Sequence, residues 1–299
     1  MQAIQTDKLT KYYGKNRGII ELDLTVEEGD FFGFIGPNGA GKSTTIRTLL
    51  GLIHPTKGTA QILGRDILKQ KMQNLSQIGY LPSEVAFYSG MKVKDVISFS
   101  ANLHKKDCSF RAKELCERME LDTERKIDEL SFGNKKKVGI VCAMQHDPQL
   151  YIMDEPTSGL DPLMQREFFS LLKERNQAGA TIFLSSHVLS EVQKYCAHAA
   201  VIREGKLLAC DSVENLGHTG AKRVVLRGVQ NLPAVLTQES KKNISVRDIS
   251  ITEEGLQFLY SGNPRMLLYE LSQLPLTDIT ITEPDLEEVF LHYYEKEEH

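Results

Sequence analysis

The chain has 299 residues, of which 41% are hydrophobic and 25% charged, and its formal net charge at pH 7 is −4. This composition can build one large domain, or one plus a smaller one, and argues against a disordered chain. It also argues against a dominant basic face for nucleic acid. The five cysteines form no C-x-x-C pair, so neither a zinc site nor a disulfide framework is indicated. We expect reduced thiols in a cytoplasmic protein.

No apolar stretch of the sequence approaches the ~20 residues that cross a bilayer. The first residues do not have the pattern of a signal peptide. We therefore expect any contact with a membrane to come through a partner.

Strand-like and helix-like segments alternate along the first two thirds of the chain. Residues 3–9 and 19–26 alternate in the manner of edge strands, and a helical pattern covers Pro162–Gln177. Short apolar runs predict buried strands at Phe31–Ile35 and at residues 150–153, 181–184 and 199–203. This alternation predicts an α/β fold with a parallel sheet. A helical insertion is expected at about 85–145, with helices at 93–102, 111–120 and 134–145.

The order of strand-like and helix-like segments changes after residues 217–220. Strand-like segments cover 224–227, 244–249, 256–260 and 277–281, and helix-like segments cover 232–239, 264–274 and 284–294. The resulting order is that of a ferredoxin-like unit with one further helix. We therefore expect a first domain over 1–216 and a small α+β accessory domain over 217–299.

One motif predicts a ligand that contains phosphate groups. The pattern G-x-x-x-x-G-K-[ST] is matched by Gly36-Pro37-Asn38-Gly39-Ala40-Gly41-Lys42-Ser43, between a predicted strand and a predicted helix. Glycines let backbone N–H groups surround phosphate oxygens, and the start of the helix adds a partial positive charge. We expect Lys42 to reach the β- and γ-phosphates and Ser43 to bind Mg²⁺. The expected phosphate-binding residues are Gly36, Asn38, Gly39, Ala40, Gly41, Lys42, Ser43 and Thr44.

Two carboxylates end the predicted strand at 150–153. A nucleotide hydrolase with a phosphate-binding loop needs one acid at a strand end for Mg²⁺, and Asp154 suits that role. Glu155 is then placed to polarise the attacking water as a general base. The alternative is a strand that ends in a solvated acidic turn.

The order of these motifs carries a family resemblance over about residues 1–216. Leu130-Ser131-Phe132-Gly133-Asn134 resembles a variant of the LSGGQ signature, and the chain resembles the nucleotide-binding subunits of ABC transporters. The resemblance implies a P-loop parallel-sheet core with an antiparallel edge subdomain, and ATP and Mg²⁺ as cofactors. It implies that Ser131 and Gly133 contact the γ-phosphate held by an opposite subunit.

Further motifs extend the resemblance. Asp161, in Ser158-Gly159-Leu160-Asp161, resembles the D-loop residue that links the two sites of a dimer. His187, after the predicted strand at 181–184, resembles the switch histidine that bonds the γ-phosphate. Tyr13 resembles the aromatic residue that stacks on adenine, with Tyr12 as the near alternative.

The sequence departs from the family pattern at two positions. Ser83 stands where members usually have a glutamine or glutamate that binds Mg²⁺ and water, so either Glu84 or a water substitutes, or coupling is weaker. Lys136 stands where a glutamine is usual in the bacitracin-resistance type. The run Lys135-Lys136-Lys137 predicts a solvated helix face, with contact to acidic loops or lipid headgroups as the alternative.

The resemblance implies an ATPase that drives a separate transmembrane permease subunit. Because the chain holds one P-loop, the second nucleotide-binding subunit is another copy or a homologue. The segment 284–290 resembles the closing segment of drug and antibiotic-peptide exporter subunits, so we expect an exporter of drugs, peptides or lipids. Such a subunit is peripheral on the cytoplasmic face of the cell membrane and has no nucleic-acid partner. The alternatives are a soluble ABC ATPase acting on ribosomes or DNA, and an ATP sensor that does not hydrolyse.

Overall fold

The computed structural model describes residues 1–217, 221–229, 232, 245–252 and 255–282. The chain divides into two compact units, Met1–Val213 and Glu214–His299. The predicted helices at 232–239 and 284–294 lie outside the described residues.

The first unit contains an antiparallel sheet and a mostly parallel sheet. The strands of the antiparallel sheet are β1 (Gln2–Tyr13), β2 (Asn16–Leu22), β3 (Thr25–Glu27), β5 (Lys57–Ile62) and β6 (Arg65–Asp66). Their order is β2-β1-β5-β6, with β3 also paired to β1. The segment predicted as one strand at 19–26 is thus two strands. The first strand lies inside its sheet rather than at an edge, because alternation reports one buried face and not the number of neighbouring strands.

The second sheet of this unit has six strands in the order β11-β10-β4-β9-β8-β7. They are β4 (Phe31–Ile35), β7 (Ile78–Leu81), β8 (Leu150–Asp154), β9 (Thr181–Ser186), β10 (His198–Arg203) and β11 (Lys206–Ser212). All neighbours are parallel except β10 and β11. Every residue of β4, β8 and β9 is buried, as expected for strands covered on both faces. The predicted α/β fold is confirmed.

Helices surround this sheet and form the helical insertion. They are α1 (Lys42–Leu49), α2 (Lys71–Leu75), α3 (Val93–His104), α4 (Ser109–Arg118), α5 (Phe132–Met144), α6 (Pro162–Gln177) and α7 (Leu189–Tyr195). A short helix, α8 (Val213–Gly217), follows β11 at the boundary between the two units. One hydrophobic cluster joins the two sheets through α1. It includes Ile4 and Leu22 from the antiparallel sheet, Ile46 from α1, and Phe34 and Ile152 from the parallel sheet.

The second unit contains a four-stranded antiparallel sheet. Its elements are β12 (Ala221–Arg227), β13 (Ser245–Thr252), β14 (Gly255–Ser261), α9 (Pro264–Leu271) and β15 (Asp278–Thr282). The strand order is β13-β14-β12-β15. Val224, Phe258 and Tyr260 on the sheet form a core with Leu267 and Leu271 of α9.

A pair of stacked histidines ties the end of the helical insertion to the parallel sheet. The rings of His104 and His146 lie 3.6 Å apart, and His146 Nε2 donates to the carbonyl of Ile78 at 3.2 Å. His146 is only 3% exposed. Burial and the neighbouring His104 and Lys106 lower the pKa of His146 to about 4. The imidazole is therefore neutral at pH 7 and resists protonation in the folded chain.

We expect this burial to make the protein acid-sensitive. The unfolded chain binds a proton at His146 below about pH 6.5, whereas the folded chain does so only near pH 4. The free energy of unfolding therefore falls as pH falls through this window, by about 1 to 2 kcal/mol at pH 5 from this group. His146→Gln keeps an amide donor and cannot titrate. Urea unfolding at pH 7 and pH 5 should show a smaller loss for this variant, and equal losses would contradict the assignment.

Candidate functional site

The P-loop is shaped by close approaches that exclude side chains. A Cβ on Gly36 would lie 2.3 Å from the carbonyl oxygen of Ile202, and one on Gly41 would lie 2.7 Å from that of Gly18. Gly41 also has a φ of 108°, in the region that favours glycine. Helix α1 begins directly afterwards at Lys42. Its first N–H groups have no acceptor within the helix and point toward the loop, where an anion can accept from them.

A cavity of about 200 Å³ lies over this loop. It is lined by Arg17, Gly18, Pro37, Asn38, Gly39, Gly41, Lys42, Ser43, Thr44 and Glu155. Two of the predicted phosphate-binding residues, Gly36 and Ala40, are not among the residues that line it. The carbonyl of Gly36 accepts from Lys42. Ala40 is 2% exposed, and its N–H donates to the carbonyl of Pro37 at 3.1 Å.

Sequence reasoning missed Arg17 as a cavity residue. Its guanidinium pairs with the carboxylate of Glu204. The residue lies at the start of β2, and no local motif marks it. Only the packing of β2 against the P-loop brings it to the cavity.

Asp154 and Glu155 come together with Ser185 at the ends of β8 and β9. Asp154 is 1% exposed, and Ser185 Oγ donates to its Oδ1 at 2.8 Å. The N–H of Glu155 donates to the carbonyl of Ser185 at 3.0 Å. Glu155 has a φ of 48°, a left-handed conformation that is uncommon for glutamate and turns the chain at this point.

Lys42 and His187 both contact the carboxylate of Glu155. Lys42 Nζ donates to the carbonyl of Gly36 at 2.6 Å and lies 3.1 Å from Glu155 Oε1. His187 Nδ1 lies 2.5 Å from Glu155 Oε2. Lys42 is 5% exposed, so its charge is largely withdrawn from water. The three residues assigned to phosphate contact and water activation thus meet in one place.

The segment that carries His187 is held by a second set of hydrogen bonds. Ser186 Oγ donates to Glu191 Oε2 at 2.9 Å and accepts from the N–H of Val188 at 2.9 Å. Burial raises the pKa of the Glu191 carboxyl. These bonds fix the turn between β9 and α7 on both sides of the histidine.

The residues present fit ATP and Mg²⁺. A triphosphate is an anion with many acceptor oxygens. The Lys42 ammonium and the free N–H groups at the start of α1 can donate hydrogen bonds to those oxygens. Mg²⁺ takes oxygen ligands and is usually held by one or two protein groups together with phosphates and water. Ser43 on the cavity wall and the buried carboxylate of Asp154 supply oxygens of that kind.

Of the two candidate tyrosines, Tyr13 lies beside the cavity. A Cβ on Gly18 would lie 2.9 Å from Thr44 Cγ2 and 3.2 Å from Tyr13 Cε2, so both side chains flank this glycine. Tyr13 is 45% exposed, and Lys11 Nζ lies 5.3 Å from its ring centroid. The N–H of Tyr12 instead donates to Thr56 Oγ1.

The signature and the D-loop are in contact at Gly133 and Gly159, and none of Ser131, Gly133 and Asp161 lines the cavity. Ser131 caps α5 and accepts from the N–H of Asn134 at 3.3 Å. A Cβ on Gly133 would lie 2.4 Å from the carbonyl oxygen of Gly159. Asp161 caps α6, and its Oδ1 accepts from the N–H groups of Leu163 and Met164. Those backbone donors lower the pKa of the Asp161 carboxyl. Within one chain, Ser131, Gly133 and Asp161 are thus separate from the P-loop residues.

The predicted solvated face at the lysine run is wrong for two of its three residues. Lys136 is 0% exposed and Lys137 is 8% exposed. Helix α5 is buried along most of its length, because it packs against β7 and against α3 and α4. A charge run alone does not reveal this packing.

No helix of the described residues has both the length and the apolar character to cross a membrane.

The sequence matches the ABC transporter family over residues 19–158. It is 35% identical over 300 residues to the bacitracin transport ATP-binding protein BcrA of Bacillus licheniformis, covering 96% of each chain. It is 29% identical to the linearmycin resistance ATP-binding protein LnrL of Bacillus subtilis, covering 97% of each chain.

The fold resembles a solved structure described as the ATP-binding subunit of an ABC transporter. The TM-score is 0.68 at 28% identity, and the match covers 72% of this chain and 91% of that one. The bacitracin relative extends the similarity through the second unit as well. The chain therefore belongs to the ABC transporter family, as an ATP-binding subunit that hydrolyses ATP.

Proposed function

We propose that this chain hydrolyses ATP with Mg²⁺ to power a separate transmembrane permease that exports drugs, antibiotic peptides or lipids. The observation that carries the chemistry is the network in which Glu155 lies between Lys42 and His187, next to the buried Asp154. Glu155 polarises the attacking water, Lys42 and His187 hold the γ-phosphate, and Ser43 and Asp154 hold Mg²⁺. The names of the bacitracin and linearmycin relatives support the class of substrate.

We further propose that two such subunits complete each other's sites. Ser131 and Gly133 lie apart from the cavity of their own chain, at a close contact with the D-loop. A head-to-tail pair would bring the signature of one chain to the P-loop of the other, with ATP between them. ATP then bridges the two halves, and hydrolysis removes the bridge. The second subunit is an identical copy or a homologue.

The permease would dock on an apolar groove of the helical insertion. The groove has a volume of about 420 Å³ and is lined mainly by apolar side chains. Among them, Tyr88 is 74% exposed, Phe99 49% and Leu103 68%. Such a concentration of exposed apolar side chains is typical of a protein interface. It supports attachment to the cytoplasmic face of the membrane through a partner.

We also propose the domain division predicted above, with a nucleotide-binding domain over 1–216, its helical subdomain at about 85–145, and an accessory α+β domain over 217–299. The compact units and the order β13-β14-β12-β15 support a ferredoxin-like second domain. Its role in this proposal is to support dimerisation or regulation.

Glu155→Gln tests the hydrolytic assignment. The amide keeps the size of the side chain but cannot accept a proton, so we expect turnover to fall by about 10²- to 10⁴-fold. ATP affinity should be retained or rise, because the substitution removes a carboxylate that competes with phosphate for Lys42. Steady-state hydrolysis and equilibrium ATP binding measure the two effects. Glu117→Gln, at an exposed position of α4, is the control. Turnover at the wild-type rate in Glu155→Gln would remove Glu155 from the role of general base.

The permease proposal is tested by affinity capture from detergent-solubilised membranes of the source organism. We expect wild-type chain to recover a stoichiometric multi-span membrane protein, and Phe99→Asp to lose it because a charge enters the groove. Phe110→Asp is the matched control, since Phe110 is 85% exposed and does not line the groove. Recovery with ribosomes or DNA would instead favour a soluble ABC ATPase.

A further inference from the structure

Lys136 is a fully buried lysine whose hydrogen bonds go to main-chain carbonyls. The residue is 0% exposed. Its Nζ donates to the carbonyl of Pro82 at 3.0 Å and to that of Ser83 at 2.8 Å. One side chain of α5 therefore holds two consecutive peptide groups of the loop that follows β7.

The buried charge is unfavourable for the fold. Burial lowers the pKa of Lys136 to about 8, against the opposing effect of Asp154, Glu155 and Glu84. An apolar side chain of similar size would avoid this desolvation penalty, although it would leave the two carbonyls without a donor. The stability of the core alone does not require a lysine at this position.

The loop that Lys136 holds lies beside the metal and water-activating residues. Strands β7 and β8 are parallel, with Leu81 opposite Met153. The segment that begins at Pro82 therefore leaves β7 at the level where β8 reaches Asp154. The Lys136 ammonium that holds this segment is close enough to Asp154 and Glu155 for their charges to act on it. This is the loop in which Ser83 replaces the family's longer side chain.

The same helix contacts this loop a second time. A Cβ on Gly139 would lie 2.7 Å from Val85 Cγ1 and 2.9 Å from Leu81 Cδ1. Gly139 lies three residues after Lys136, on the same face of α5. The helix thus packs against both ends of the segment 81–85. The residues directly after that segment line the apolar groove.

We propose that Lys136 is a positioning residue for ATP hydrolysis, which fixes the Pro82–Ser83 backbone beside Asp154 and Glu155. With a short side chain at Ser83, the backbone of this loop has to be held close to the metal and water by another group. The Lys136 ammonium, on the helix that begins at the signature, holds this backbone through its two hydrogen bonds. This proposal rests on the proposed Mg²⁺-dependent hydrolysis.

The test compares three variants of the full chain. Lys136→Met removes the donors and keeps the length of the side chain. Lys136→Gln removes the charge and keeps an N–H donor. Lys135→Met makes the same change at the neighbouring position, which is not buried. For each variant we would measure kcat, KM for ATP, the Mg²⁺ concentration for half-maximal rate, and thermal unfolding.

We expect Lys136→Met to lower kcat by about tenfold or more and to raise the Mg²⁺ concentration for half-maximal rate several-fold. The reason is that the charged donor that holds the Pro82 and Ser83 carbonyls is lost. KM for ATP should change by less than about twofold, since the P-loop is untouched. Lys136→Gln should recover at least a third of the lost kcat, and Lys135→Met should match the wild type. If Lys136→Met does not fold, Lys136→Ala carries the same expectation, because the space left by the shorter side chain admits a water molecule to the two carbonyls.

Wild-type kcat and Mg²⁺ dependence in folded Lys136→Met would overturn the proposal and leave the hydrolytic function standing. A Lys136→Gln variant that is as slow as Lys136→Met would also overturn it, because donation to the carbonyls would then not be the cause. A wild-type chain without Mg²⁺-dependent hydrolysis would contradict both the proposed function and the role of Lys136.

Discussion

The parallel pairing of β4, β9, β8 and β7 is the constraint on which the site depends. Parallel strands end at one edge of a sheet, so residues far apart in the chain meet there. Ile35 is opposite Ser186, and Ser185 is opposite Asp154. The P-loop, the histidine turn and the two carboxylates therefore leave the sheet side by side. The short bonds among Lys42, Glu155 and His187 are a consequence of this register.

A second constraint acts at the signature. Gly133 and Gly159 approach so closely that a side chain on either would collide, the first with a carbonyl and the second with the ring of Phe132. The start of α5 and the D-loop are therefore packed directly against each other. Since the same helix holds the Ser83 loop through Lys136, a displacement of the groove would reach the signature through α5. This gives the proposed transport cycle a physical connection between the permease and the bound nucleotide.

The parts of the structure that depend on local pattern could be predicted from the sequence. The buried strand before the P-loop, the strand that ends in Asp154 and the helix from Pro162 follow from apolar runs, glycine and proline. The parts that depend on packing could not be predicted. Three lysines in a row indicate a solvated surface, yet α5 is enclosed by other elements and two of the lysines are buried. Arg17 and the interior position of β1 likewise depend on neighbours that are distant in the chain.

The most direct test of the account is a crystal structure of the Glu155→Gln variant of this chain with ATP and Mg²⁺. The account predicts a two-fold pair of chains with two nucleotides between them. Lys42, Ser43 and Asp154 of one chain should lie around the phosphates and Mg²⁺, and Ser131 and Gly133 of the other should contact the γ-phosphate. ATP bound to a single chain, with the signature of every other copy far from the γ-phosphate, would contradict it.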